Sequence, residues 1–137
     1  MKTKALIVLA ALVVAACAEL AGKPAAKHCE KGLCPVEVTV LEGCKVQVPV
    51  PEPLHVPKGN HLIKWTISAA TPQKYVFARN GIEFAPGGPF SFPQPQPRLF
   101  VLNDNNPGGT TTSHKYTIFI IGGTERCYLD PYVINDP

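Results

Sequence analysis

The sequence lacks the charge excess that a nucleic-acid partner would require. Its formal charge is +3, and Lys2 and Lys4 supply two of the positive charges within the first few residues. The rest of the chain is close to neutral and has no cluster of Lys and Arg. That excludes the basic surface with which proteins bind a phosphate backbone, so no nucleic-acid partner is expected.

Long apolar runs and helical periodicity are also missing. The apolar run at residues 5–16 is shorter than the roughly 20 residues that a membrane-spanning helix needs. Beyond it, no window of ten or more residues shows the spacing of an amphipathic helix. The first absence argues against a membrane-spanning helix, and the second favours an all-β chain.

Motifs of the common catalytic classes are absent as well. The sequence has no Gly-x-Ser-x-Gly, no His-Glu-x-x-His and no phosphate-binding glycine loop. Asp104, Asp130 and Asp136 stand beside Asn or Pro, a context in which Asp commonly serves the backbone of a turn. We therefore expect a protein that is not an enzyme and that uses no cofactor.

The N-terminus has the pattern of a secretory leader. A basic start, the apolar residues 5–16 and the small residues that follow correspond to the three parts of a signal peptide. We expect residues 1–16 to be removed on export. At the end of this leader, Val14-Ala15-Ala16-Cys17 resembles the bacterial lipobox, in which the cysteine becomes the mature N-terminus.

The lipobox resemblance implies a lipid anchor on Cys17, and hence a membrane as one partner. Acyl chains contribute about 0.8 kcal/mol for each buried methylene, and more than one chain makes the attachment durable. Ala18 is not the aspartate that this family associates with inner-membrane retention, which implies the periplasmic face of the outer membrane. The alternative is an ordinary signal cleaved after Ala16 or Ala18, with no role for Cys17.

The four other cysteines are expected to form two disulfides, because an exported chain folds in an oxidising compartment. They are Cys29, Cys34, Cys44 and Cys127. We predict the pairs Cys29–Cys34 and Cys44–Cys127, since Cys44 begins a predicted strand and Cys127 follows the last long one. The principal competing arrangement joins Cys34 to Cys127 and Cys29 to Cys44.

Residues 17–33 are expected to be a tether and residues 34–137 a folded domain. Apolar and polar residues alternate through most of this domain, in short runs separated by Gly, Pro and Asn turn signals. The pattern predicts an antiparallel Greek-key β-sandwich of seven to nine short strands. Trp65 alternates in phase with Ile63 and Ile67, so we expect it between the two sheets.

Two further segments carry specific expectations. Both alternating sets of residues 116–121 are largely apolar and β-favouring, which is typical of a central strand covered on both faces. Asn80-Gly81 lies between apolar runs and predicts a two-residue hairpin, because both residues tolerate the positive φ of a type I′ turn.

Turn residues, core aromatics and closing residues recur in a recognisable order over residues 36–136. They are Val56-Pro57-Lys58-Gly59-Asn60-His61-x-Ile63-x-Trp65, Phe77-x-x-Asn80-Gly81-Ile82-x-Phe84, Tyr116-x-Ile118, Cys127 and Asp130-Pro131-x-x-Ile134-Asn135. This order resembles small exported bacterial proteins with cupredoxin-like sandwiches, which implies a cupredoxin-like or Ig-like fold. Blue-copper members of that group carry His and Met after the last cysteine. Neither residue follows Cys127, so that copper site is not expected.

His28, Cys29 and Cys34 place three soft or borderline ligands within seven residues. Thiolates with an imidazole would suit Cu(I) or Zn(II), but oxidation of the two cysteines to a disulfide would remove the thiolates. We therefore expect a non-catalytic cell-envelope lipoprotein that presents an interaction surface to an envelope partner. A periplasmic copper- or zinc-handling protein that uses His28, Cys29 and Cys34 is the alternative.

Overall fold

The computed structural model describes residues 29–49 and 52–137. The predicted signal peptide, the predicted lipidation site Cys17 and the candidate ligand His28 lie outside these residues. The described chain consists of ten β-strands joined by turns and extended segments, with no helix. The predicted all-β sandwich is confirmed. No described segment forms a helix with the length and apolarity needed to cross a membrane.

The strands begin close to the predicted domain boundary at residue 34. In chain order they are β1 (Leu33–Leu41), β2 (Lys45–Gln47), β3 (Leu54–Val56), β4 (Gly59–Ile67), β5 (Tyr75–Phe84), β6 (Phe90–Pro95), β7 (Leu99–Asn106), β8 (Thr112–Gly122), β9 (Glu125–Leu129) and β10 (Tyr132–Asn135).

The strands form two five-stranded sheets that pack face to face. The first sheet has the order β2-β1-β4-β7-β6, and the second has the order β3-β10-β8-β5 with β9 also paired to β8. β10 pairs with the first part of β8 and β9 with its last part. The run predicted to be central therefore lies in the strand with three partners.

Strand pairing is mixed, whereas the sequence predicted antiparallel pairing throughout. β1 runs parallel to β4, with Leu33 opposite Leu62 and Val38 opposite Ile67. β3 runs parallel to β10. Parallel neighbours need a long crossover between them, and the period-two pattern of a strand carries no information about the direction of its neighbour.

The core lies between the sheets and contains Trp65, as the sequence predicted. Trp65 is fully buried, and its indole Nε1 donates a hydrogen bond to the Tyr116 hydroxyl of the opposite sheet at 3.1 Å. The ring also meets Phe100 edge-on, with 6.3 Å between the ring centroids. Burial of Tyr116 raises the pKa of its hydroxyl well above the usual value, so the hydroxyl stays protonated.

Only one face of β8 is fully covered. Tyr116, Ile118 and Ile120 point into the core and are buried, whereas Phe119 and Ile121 on the outer face stay partly exposed. The prediction of burial on both faces is wrong for this outer face. Apolar residues at every second position of a strand reflect β-propensity as well as burial, so their presence alone does not show that a face is covered.

Asn80-Gly81 does not form a hairpin. β5 continues through both residues, and its register against β8 shifts between Phe77 and Ile82. Gly81 is not among the residues with positive φ. A Cβ at Gly81 would lie 2.7 Å from the Cβ of Phe77, so this glycine permits close packing in a β-bulge rather than a turn.

Two disulfides join the elements in the pairing preferred from the sequence. Cys29–Cys34 closes a short loop at the start of β1. Cys44–Cys127 joins the β1–β2 turn of the first sheet to β9 of the second, over a sequence separation of 83. The chain-entropy model assigns a loop of this length about 4–5 kcal/mol of stabilisation.

We predict that Trp65→Ala lowers the free energy of unfolding by about 3–5 kcal/mol, because it leaves a large cavity between the sheets. Urea denaturation followed by far-UV circular dichroism measures this, since the substitution removes the only tryptophan fluorophore. Trp65→Phe is the control: it keeps a ring in the core but leaves the Tyr116 hydroxyl without its partner, and should cost less. A Trp65→Ala variant within about 1 kcal/mol of wild type would contradict the packing described.

Candidate functional site

One end of the core is polar. Along β4 and β7, the inward pair Trp65–Phe100 is followed four residues further on by the pair His61–Asp104. Asp104 is fully buried and His61 is partly buried. The sequence placed Asp104 in a turn, and this is wrong because β7 extends to Asn106 and carries Asp104 inward. The alternation that buries Trp65 therefore also buries a carboxyl group.

The second sheet contributes an amide to the same end. Asn135 of β10 is fully buried, and its Nδ2 donates to Asp104 Oδ1 at 3.1 Å. Asn106, the next inward residue of β7, donates from Nδ2 to the carbonyls of Val56 at 3.0 Å and Asp136 at 2.8 Å. These bonds connect the two sheets by polar contacts where apolar packing ends.

Three buried side-chain atoms at this end have no hydrogen-bond partner. They are His61 Nδ1, Asp104 Oδ2 and Asn135 Oδ1, and no other buried side-chain nitrogen or oxygen of residues 29–49 and 52–137 is in this state. An unsatisfied buried polar group costs about 1–3 kcal/mol, and folded proteins leave few of them. Three on adjoining side chains mark this end as a candidate functional site, which we call the polar end.

Burial dominates the electrostatics of the polar end. Desolvation raises the pKa of Asp104 from 3.8 to about 6, although the hydrogen bond from Asn135 and the nearby imidazole of His61 both act to lower it. A carboxyl group whose pKa approaches neutrality is typical of functional sites.

The Cys29–Cys34 disulfide lies beside the same histidine. The two sulfur atoms and one ring nitrogen of His61 all lie within 4.8 Å of one another. The parallel pairing of β1 with β4 produces this contact: Cys34 is opposite Ile63, and the amide of Leu62 donates to the carbonyl of Gly32 at 2.8 Å.

The imidazole at the disulfide is therefore His61, whereas the sequence proposed His28. The sequence grouped His28 with Cys29 and Cys34 because they are adjacent in the chain, and His28 lies outside the described residues. His61 joins them only through the β1–β4 pairing, which sequence alternation does not predict. The sequence did contain one indication of its position, because His61 alternates in step with Ile63 and Trp65 and so belongs to the same face of the strand.

The two other described histidines have different partners. His55 points outward, and its Nδ1 lies 3.0 Å from Asp136 Oδ1 in an exposed contact. His114 Nε2 lies 3.0 Å from the Thr112 hydroxyl, and its ring packs edge-on against Phe90. Burial lowers the pKa of His114. His55 is therefore a suitable control for experiments on His61.

A second candidate surface lies on the outer face of the second sheet. A hollow there is formed by β5, β8 and β9, and we call it the outer hollow. Tyr128, opposite Phe119 on the paired strand, has 71% of its surface exposed. The lining residues are Ala78, Asn80, Phe119, Ile120, Ile121, Arg126, Cys127 and Tyr128.

The chemistry of the polar end depends on the state of the cysteines. With the disulfide intact, the available ligands are an imidazole, a carboxylate and an amide oxygen. Reduction would add two thiolates, which prefer Cu(I) and Zn(II).

A scan against protein-family models finds no match for this chain, and no curated protein matches it.

We predict that Asp104 contributes less to the stability of the metal-free protein as pH rises. The folded pKa of about 6 exceeds the unfolded value of 3.8, so the folded state holds the proton more strongly across this interval. The contribution of Asp104 to the free energy of unfolding therefore declines between about pH 4 and pH 6 and stays lower above it. Asp104→Asn removes this loss and should be more stable than wild type at neutral pH, by roughly 1–3 kcal/mol.

Urea denaturation in chelator-treated buffers from about pH 4 to pH 8 tests this sign. Asp130→Asn is the matched control, because Asp130 is exposed and pairs with Lys115 and the Thr117 hydroxyl. Those contacts lower the pKa of Asp130, so its substitution should give no gain at neutral pH. Parallel pH profiles for wild type and Asp104→Asn would contradict the prediction.

Proposed function

We propose that this protein is a non-catalytic, lipid-anchored protein of the cell envelope whose sandwich presents the outer hollow to a protein partner. The observation that supports this most is the exposed ring of Tyr128 beside the partly exposed Phe119 and Ile121. Aromatic side chains and arginine are enriched at protein interfaces, and Arg126 also lines the outer hollow.

The outer hollow has a rigid foundation, which favours it as a recognition surface. β9 carries Arg126 and Tyr128, and Cys127 between them is bonded to Cys44 of the first sheet. Beneath the hollow, Ile118 and Ile120 are packed in the core. The backbone that carries these side chains is therefore already held in place, so a partner would not have to order a loop on binding, which is one cost of association.

Site-specific photo-crosslinking in cells tests the outer hollow. A photoreactive phenylalanine analogue at position 128 should give a discrete protein adduct, which an additional Ile121→Ser substitution should weaken. The same analogue at position 66 is the control, because Thr66 is exposed on β4 of the other sheet. No adduct at position 128, or the same adducts at both positions, would contradict the proposed surface.

The anchor has its own test. Cys17→Ser should move the protein from the membrane fraction to the soluble fraction, because the thioether that carries the acyl chains can no longer form. Mass spectrometry of the wild-type mature protein should show the added acyl mass on Cys17. A soluble wild-type protein without that mass would refute the anchor. It would not affect the crosslinking test of the outer hollow.

Metal handling is the second candidate function, favoured by the cluster of Cys29, Cys34 and His61. It requires a dithiol reductant to open the disulfide, because thiolates are the ligands that select Cu(I). Free thiols with stoichiometric copper or zinc in the isolated protein would support it. Two intact disulfides without bound metal would contradict it.

A further inference from the structure

We propose that the polar end binds a divalent transition-metal cation in the oxidised protein, through His61 Nδ1, Asp104 Oδ2 and Asn135 Oδ1. The inference goes beyond the proposed function, since it involves neither the outer hollow nor thiolate ligands. It rests on the position, charge and hydrogen bonding of these three side chains.

Asp104 adjoins both other side chains, although the three come from three strands of both sheets. His61 and Asp104 are directly opposite on the antiparallel strands β4 and β7. Such pairs have Cβ atoms about 4.5–5.5 Å apart, within reach of a shared ligand. Asn135 reaches Asp104 from β10 at 3.1 Å.

Charge is the second argument. Asp104 is fully buried, yet one carboxylate oxygen has no partner. Within residues 29–49 and 52–137 the ion pairs involve Asp136, Glu125 and Asp130, and none involves Asp104. Buried charges in proteins are normally paired or coordinate a metal. A cation at Asp104 Oδ2 would supply the missing countercharge.

The existing hydrogen bonds leave free the atoms that bind metals. Asn135 uses its Nδ2 as the donor to Asp104, so its carbonyl oxygen remains. His61 Nε2 lies 3.4 Å from the carbonyl oxygen of Lys58, which can only accept. Nε2 is then the protonated nitrogen and Nδ1 of the neutral ring carries the lone pair. A backbone carbonyl orients metal-binding histidines in the same way.

The donor set indicates the class of cation. An imidazole nitrogen with two oxygens suits borderline ions such as Zn²⁺, Ni²⁺ or Cu²⁺, whereas Ca²⁺ and Mg²⁺ prefer sites made of oxygen alone. The sulfur atoms of Cys29 and Cys34 are not thiolates while their disulfide is intact. The oxidised protein therefore offers a nitrogen and oxygen site, distinct from the thiolate site of the second candidate function.

The test is a Zn²⁺ titration of the untagged mature protein against a chromophoric chelator, after a thiol assay has verified that both disulfides are intact. We expect a single Zn²⁺ per chain and a higher melting temperature, with an excess of Mg²⁺ or Ca²⁺ failing to displace it. Asp104→Asn and His61→Gln should each weaken binding by at least about tenfold. His55→Gln and His28→Gln, which remove other imidazoles, should leave it unchanged.

Two further results separate this site from its alternatives. Zn²⁺ binding should persist in the Cys29→Ser/Cys34→Ser double variant, and its loss there would overturn the proposal. Co²⁺ bound to the wild-type protein should show d–d absorption without a sulfur-to-metal charge-transfer band, a readout that holds even if a substituted chain fails to fold. No Zn²⁺ binding, equal binding by Asp104→Asn, or a crystal structure grown with Zn²⁺ that shows only a bridging water would also overturn it.

Discussion

The inward-facing row of β4 is the constraint on which the rest of the structure depends. β4 lies in the middle of its sheet, parallel to β1 on one side and antiparallel to β7 on the other. One alternation carries Ile67, Trp65 and Ile63 into the core and then delivers His61 to its polar end. The same register sets Asp104 opposite His61 and brings the disulfide alongside, so the strand that fixes the core also assembles the candidate site.

Along the paired strands β4 and β7, the apolar core and the polar end have opposite effects on the stability of the fold. Burying Trp65 between Phe100 and Tyr116 removes a large apolar surface from water and satisfies its one polar atom. On the paired strand β7, four residues beyond Phe100, Asp104 is buried with an unsatisfied oxygen, which costs free energy that the apolar part must offset. Local violations of otherwise consistent packing concentrate at functional positions. The polar end fits that description.

The features predicted correctly from the sequence are those that a single strand determines. Period-two alternation places Trp65 inward whatever its neighbours are, and it gives the all-β class. Strand direction and register depend on distant segments, so the parallel β1–β4 pair and the meeting of His61 with Cys34 were not predictable from local pattern. The hairpin prediction at Asn80-Gly81 failed for a related reason. Pairing with β8 continues past these residues, and tertiary pairing overrides the local turn preference. Asp104 was misplaced because its Asn neighbours resemble a turn.

The covalent link between Cys44 and Cys127 has a mechanical consequence. β9 is a strand of five residues with β8 as its hydrogen-bonded neighbour. Under a pulling force, a short edge strand of this kind would peel from the sheet one hydrogen bond at a time. The bridge instead transmits load from β9 directly to the β1–β2 turn of the opposite sheet. A force applied by a molecule bound at Tyr128 would thus act on both sheets rather than on β9 alone.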